Sequence, residues 1–209
     1  MRRRHGKMPG MADQRPGTAR NMRVLLIGAP GAGKGTQAVR IAEHFGLTHI
    51  SSGDILRQHI AEGTAIGRTV QEYVRRGDLV PDSIMMDMLF KPVKAATESG
   101  GYVLDGYPRT LDQAKAAYEV VGEHGMAVQV AVHIYVPDEE LVQRLLGRAR
   151  GSDDTREVIE HRLEVYREKT LPMLDYYAQR EKLVQVNGAR PEREVTWSII
   201  VQLQRLPLA

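Results

Sequence analysis

The chain has no cysteine among its 209 residues, one tryptophan, two phenylalanines and no apolar run near the roughly 18–20 residues of a membrane span. Without cysteine there is no disulfide scaffold, no Cys-based zinc site and no thiol nucleophile. Net charge is also small: 29 Lys+Arg stand against 26 Asp+Glu, a balance of +3. What is present suits a globular body, with 42% hydrophobic and 26% charged residues in a length that can bury a substantial core.

The charge is unevenly placed. Residues 1–22 hold Arg2, Arg3, Arg4, Lys7, Arg15 and Arg20 against Asp13 alone, while residues 23–209 hold 23 of the 29 basic and 25 of the 26 acidic side chains. The basicity therefore belongs to a leading segment that also carries Gly6, Pro9, Gly10, Pro16 and Gly17 and shows no hydrophobic period. Residues 1–22 are expected to be a disordered basic tail. The tail lacks the apolar core of a signal peptide, and lacks the serine and amphipathic pattern of an organellar targeting segment. It also lacks aromatic residues, which argues against a nucleic-acid-binding arm.

In residues 23–209, Val24-Leu25-Leu26-Ile27 reads as a fully buried strand, followed by a helix with Ala38, Ile41, Ala42 and Phe45 on one face and Gly46 at its end. Short apolar runs recur at 102–104, 128–136 and 183–186, with helical patterns over 82–98, 110–124, 138–147 and 191–204. Residues 53–80 carry a helical pattern and look like an insertion after a strand. A long helical pattern from Thr155 to about Arg180 contains Pro172, which predicts a kink or break near Thr170. Alternating strands and helices predict an α/β fold, a doubly wound parallel sheet covered on both faces.

Chemistry concentrates at two strand ends. Gly28-Ala29-Pro30-Gly31-Ala32-Gly33-Lys34-Gly35-Thr36 links a strand to a helix, so its N–H groups can curl around an anion at a positive helix end, with Lys34 as a point charge for phosphates. The strict phosphate-loop pattern places Ser or Thr directly after Lys; here Gly35 intervenes and the hydroxyl comes at Thr36. A plain Gly-rich turn is the bland alternative, and the strand–loop–helix context argues against it. The second strand ends Val103-Leu104-Asp105-Gly106-Tyr107-Pro108-Arg109. In open α/β sheets ligands bind at such strand ends, so Asp105 would face the same crevice, where a carboxylate suits Mg²⁺ directly or through water. Arg109 would serve as a phosphate ligand. The histidines read as core or surface residues: His49 and His133 in or beside strands, His161 with His5, His59 and His124 on the surface. The Met85, Met86, Met88 cluster reads as packing.

From these blocks the chain resembles a nucleoside monophosphate kinase, most closely an adenylate kinase, over about Arg23 to Gly188. The likeness rests on GAPGAGKGTQ at 28–37, SSGDILR at 51–57, GDLVPD at 77–82, DGYPRTLDQA at 105–114, and RLLGRARGSDD with EHRLEVY between 144 and 166. The resemblance implies a three-part P-loop kinase occupying 23–209, with 53–80 as the helical NMP-binding insertion and 148–154 as a short lid without zinc. It implies reversible, Mg²⁺-dependent phosphoryl transfer from ATP to AMP giving two ADP, in a monomeric cytoplasmic enzyme. On that pattern, Gly31, Ala32, Gly33, Lys34, Gly35 and Thr36 hold the donor phosphates, and Thr36 and Asp105 hold the metal. Arg144 and Gly188 meet the donor adenosine. Ser52, Arg57, Asp78, Leu79, Val80, Gly106, Tyr107, Pro108, Arg109 and Gln113 form the AMP site. Arg148, Arg150 and Arg162 clamp the transferring group.

Two departures stand out. Ser52 replaces the usual threonine, and Gly151 occupies a position where the family tends to have arginine, so either a one-residue insertion still delivers Arg150 or that contact is altered. Helical phasing independently places Arg148 with Leu141 and Leu145, and Arg162 with Val158 and Ile159, on apolar stripes, where a cation requires an anionic partner. Phosphate or an ordinary acidic side chain would serve. The competing readings are a UMP or CMP kinase, and a P-loop switch protein, which would leave the 51–57 and 144–162 blocks unexplained. Gln113 and the Pro-Arg-Thr stretch favour AMP.

Overall fold

The computed structural model describes residues 21–122, 124–148 and 155–207. Five parallel strands, β1 (Met22–Ile27), β2 (Thr48–Ser51), β3 (Gly101–Asp105), β4 (Val130–Tyr135) and β5 (Leu183–Asn187), form one sheet in the order β2-β3-β1-β4-β5. The helices are α1 (Lys34–Phe45), α2 (Ser52–Ala61), α3 (Ala65–Arg76), α4 (Asp82–Glu98), α5 (Leu111–Gly122), α6 (Asp138–Arg148), α7 (Arg156–Val165), α8 (Pro172–Ala178) and α9 (Glu192–Arg205).

The apolar run of β1 is continuous because both faces of the sheet are covered. Val24 and Leu26 join a core with Ile41 and Phe45 of α1, Leu141 and Leu145 of α6, Ile159 of α7 and Ile199 of α9. Leu25 and Ile27 point the other way, into a core with Leu56, Val70, Met85, Leu89, Met173 and Tyr177 from α2, α3, α4 and α8. Met85 and Met88 are buried packing residues, as their sequence pattern implied.

Register holds the chemistry in place. Leu26 of β1 pairs with Asp105 of β3, and Ser51 of β2 pairs with the same Asp105, so three strands end side by side. The chain leaves β1 toward β2 and β3 on one side and later returns to place β4 on the other. The reversal opens a crevice at the carboxyl end of β1, where the phosphate loop begins.

Met22 is the first residue of β1 and is fully buried. The sheet thus begins one residue inside the segment that composition assigns to the tail, because burial against Gly101 rather than charge sets the boundary. Residues 1–20 of the expected tail lie outside the described residues, as do residues 149–154 of the expected lid. No helix among the described residues is long and apolar enough to cross a membrane.

The helical pattern over 155–180 does break at the expected place. α7 passes into a π-helical turn at Tyr166–Thr170 before α8 starts at Pro172. Pro172 has no N–H and its ring crowds the carbonyl four residues back, so the chain widens and Leu171 N–H bonds Tyr166 O at 3.0 Å.

In the insertion, α2 and α3 meet at Gly67, where a Cβ would fall against the His59 carbonyl, far inside van der Waals contact. Gly67→Ala is expected to destabilise the insertion by about 1–3 kcal/mol through overpacking, seen as a lower thermal midpoint; an unchanged midpoint would show that α2 and α3 separate without cost.

Candidate active site

β1 ends at Ile27 and the chain curls through Gly28–Gly33 into α1. Gly31 takes φ 84° and is packed so that a Cβ would sit 2.9 Å from Leu145 Cγ, so glycine is required there on both counts. Lys34, first in α1, folds back and donates from Nζ to Gly28 O at 2.8 Å and Ala29 O at 3.1 Å. Its ammonium is thereby held over the loop by neutral acceptors.

A cavity of about 350 Å³ opens from this loop. One wall is Gly31, Gly33, Lys34, Gly35 and Thr36; a second is Asp105 to Arg109 with Gln113; a third is Arg57 and the segment Asp78-Leu79-Val80; the last is Arg162, Tyr166 and Thr170. Most of the residues expected from the sequence are thus brought together. Asp105 lies beside the phosphate loop, with Oδ2 3.7 Å from where a Cβ on Gly35 would stand.

The expected residues outside the cavity wall need separate placement. Ser52 is fully buried and its Oγ has no hydrogen-bond partner. Its position as first residue of α2 turns it inward beneath Gly106, whose Cβ would lie 2.5 Å from Ser52 Oγ, and the cavity is lined instead by Ser51 and Gly53. Ala32 is likewise buried, in the core below the loop. Arg144 and Gly188 touch each other, with an Arg144 guanidinium N–H donating to Gly188 O at 2.9 Å, away from the cavity lining. The Arg148 side chain and Arg150 lie outside the described residues.

Three guanidiniums converge on the cavity. Arg57 pairs with Asp54. Arg162 donates to Val74 O at 3.3 Å. Arg109 is fixed from three sides: its Nε donates to Gly106 O at 2.6 Å, its backbone N–H to Gln113 Oε1 at 2.8 Å, and its carbonyl accepts from Thr170 Oγ1 at 2.7 Å. Crowding by protein atoms lowers the Arg109 pKa, Asp105 works against that fall, and the charges of Arg162 and Arg57 add to it. A cluster of guanidiniums converging on one cavity suits a multiply charged anion.

Gln113 is 3% exposed and is oriented by two bonds, accepting from Arg109 N–H and donating to Asp82 Oδ1 at 2.6 Å. Tyr107, next to a cis bond to Pro108, donates its hydroxyl to Met86 Sδ at 2.9 Å, and burial reinforced by Asp82 pushes its pKa up to about 12. Tyr166, raised to about 12 by burial and Asp138, meets His133 Nε2 at 3.0 Å.

Sequence reasoning passed over Tyr166, Thr170 and His161. Tyr166 closes a quoted block, but nothing in its spacing shows that a π turn would aim it and Thr170 at the crevice. His161 reads as a surface residue, yet it is half-buried with Nε2 2.7 Å from Asp78 Oδ1.

A parallel doubly wound sheet, a Gly-rich anion loop at the switch strand and a cationic cleft define a P-loop nucleotide-binding phosphotransferase. The adenylate kinase family model matches residues 26–182. The chain is 45% identical over 174 residues to adenylate kinase 1 of Nostoc sp., covering 83% of this chain and 94% of that relative. It is also 45% identical over 181 residues to an adenylate kinase of Leptospira biflexa, covering 85% and 97%. An adenylate kinase of Kocuria rhizophila is 44% identical over 186 residues, covering 88% and 99%. The chain belongs to the adenylate kinase family, enzymes that move a phosphoryl group reversibly between ATP and AMP.

His133 supplies a check on the electrostatics beside the loop. It is 4% exposed, and its pKa is lowered mainly by burial; a contact with Gln185 opposes this and the charge of Lys34 adds to it. The unfolded chain therefore binds this proton more readily than the folded one, so the associated stability is present above about pH 6.5 and is lost as pH falls below it. In His133→Gln, the loss of urea stability between about pH 7.5 and pH 5 is expected to be smaller than in wild type. An equal loss would place the acid sensitivity elsewhere.

Proposed function

We propose that the residues lining this cavity carry out ATP + AMP ⇌ 2 ADP, with the donor phosphates on Gly31–Thr36 and the acceptor monophosphate between Arg57, Arg109 and Arg162. The observation that supports this best is the convergence of Lys34 and three guanidiniums on one cavity beside an oriented glutamine.

The AMP phosphate is already a competent nucleophile near neutral pH, because the second pKa of a phosphate monoester is about 6. No general base is needed. The loose transition state spreads negative charge over the equatorial oxygens, and catalysis consists of in-line positioning and charge stabilisation. Lys34 meets the donor side, Arg57 and Arg109 the acceptor phosphate, and Arg162, with Arg148 and Arg150, the group in transit. A lid at 148–154 and the insertion at 53–80 would close over the reaction and exclude water.

The residues fit Mg²⁺. Thr36 and Asp105 both reach the cavity beside the loop, and the described residues hold no cluster of three or more His, Cys, Asp or Glu that could cage a metal alone. That donor set suits an ion carried in largely on phosphate and water oxygens. When bound with ATP, Mg²⁺ supplies charge neutralisation at the phosphates.

Gln113 bears on the base. With one N–H committed to Asp82 and one oxygen lone pair to Arg109 N–H, it retains one donor and one acceptor. Adenine offers the complementary pair, an amino donor beside a ring acceptor. Uracil and guanine reverse that order at the equivalent edge, and the anchoring bonds oppose a flip of the amide.

With ATP and Mg²⁺, ADP formation is expected to be fastest with AMP among AMP, CMP, UMP and GMP. Faster turnover of UMP or CMP would overturn the assignment. Arg57→Ala should lower kcat/KM for AMP about ten- to a hundredfold, the value of a charge-assisted hydrogen bond, while the KM for ATP stays within about twofold. Because Met22 is the first buried residue of β1, a chain beginning at Met22 should keep wild-type turnover; a large loss would give residues 1–21 a part in catalysis.

A further inference from the structure

The carboxyl end of α3 carries the acceptor segment Asp78-Leu79-Val80 through Gly77, and this end rests on α7. α7 itself is anchored in the sheet core by Ile159 and Leu163, 0% and 3% exposed. Three contacts join the two. The aliphatic part of Arg162 packs on Gly77, with Cγ 2.8 Å from where a Cβ would stand. The Arg162 guanidinium reaches Val74 O. His161 Nε2 lies 2.7 Å from Asp78 Oδ1, and this is the contact on the acceptor segment itself.

We infer that His161 is a positioning residue for the acceptor nucleotide: paired with Asp78, it ties the Gly77–Val80 segment to the anchored helix α7 and so fixes the wall that receives the monophosphate's base. The site of phosphoryl transfer and the docking of the insertion are thereby coupled through neighbouring residues of one helix turn, with Arg162 facing the phosphate and His161 the segment beside the base. A cationic side chain at position 161 would serve the same tie by attracting the Asp78 carboxylate. The other charged groups on the facing elements are Arg156, Glu157, Glu160, Arg162 and Glu164 on α7, with Arg156 paired to Glu160, and Arg75 and Arg76 at the end of α3, both paired with Glu72. Asp78 is the group within hydrogen-bond distance of the ring.

This inference rests on the acceptor role of Asp78–Val80, and its test separates the two. Initial rates of ADP formation are measured at varied AMP and at varied ATP for wild type, His161→Ala and His161→Lys, with thermal midpoints confirming that each is folded. His161→Ala should raise the KM for AMP about two- to fivefold, the range of a half-exposed ion pair, and leave kcat and the KM for ATP unchanged. His161→Lys should restore the wild-type KM for AMP. An unmoved KM for AMP, an equal rise in the KM for ATP, or no rescue by lysine overturns the inference and leaves wild-type AMP turnover standing. Absence of AMP-dependent turnover in wild type would instead overturn the acceptor assignment.

Discussion

Like charges gathered in one cleft must be held in place, and backbone carbonyls around the cavity carry much of that task. Lys34 rests on Gly28 O and Ala29 O, Arg109 on Gly106 O and Arg162 on Val74 O. A neutral acceptor fixes a cation's direction, and these bonds in themselves leave the cationic field toward the cavity in place. A carboxylate in the same place would hold the cation as firmly and would compete with the substrate. The Gly28, Ala29 and Gly106 carbonyls lie just past the ends of β1 and β3, and Val74 O lies in the last turn of α3.

Such a field needs a rigid mount. The doubly covered sheet provides one, because β1 is flanked by β3 and β4 and its side chains are buried alternately in two cores. Helices α2 and α3, on the far side of the cavity, are less deeply rooted. α2 and α3 contribute Leu56 and Val70 to the buried set, and much of their surface faces solvent. The rooted half carries the phosphate loop and the peripheral half carries the proposed acceptor wall, a division suited to a reaction in which one substrate must be admitted and then enclosed.

The strands β1, β3 and β4, the covering helices and the phosphate loop were legible in the sequence, because a strand buried on both faces leaves an unbroken apolar run and a nest requires glycine in a fixed order, whereas β2, Thr-His-Ile-Ser at the sheet edge, carries no such run. The helix at 82–98 and the break near Thr170 were legible for similar local reasons. What was not legible depends on contacts between distant segments. Ser52 and Ser51 are adjacent and chemically identical, and only the end of β2 decides that one turns into the core and the other toward the cavity. His161 looks like any polar residue on a helix until α7 meets Asp78, 83 positions earlier in the chain. Met22 carries no signal beyond its hydrophobicity that would separate it from the composition of the tail.

The π turn at 166–170 is the place where one helical rod changes allegiance. Before it, Ile159 and Leu163 pack in the core on one side of the sheet; after it, Met173, Tyr176 and Tyr177 pack in the core on the other. A regular α-helix would keep presenting one stripe, whereas the wide turn adds a residue's worth of rotation as the rod crosses the strand ends. Arg167, Glu168 and Lys169 in that turn are exposed and would tolerate many replacements. Their number is fixed even though their identities are not: the segment is permissive to exchange and intolerant of a change in length, a combination that exposure alone would not reveal.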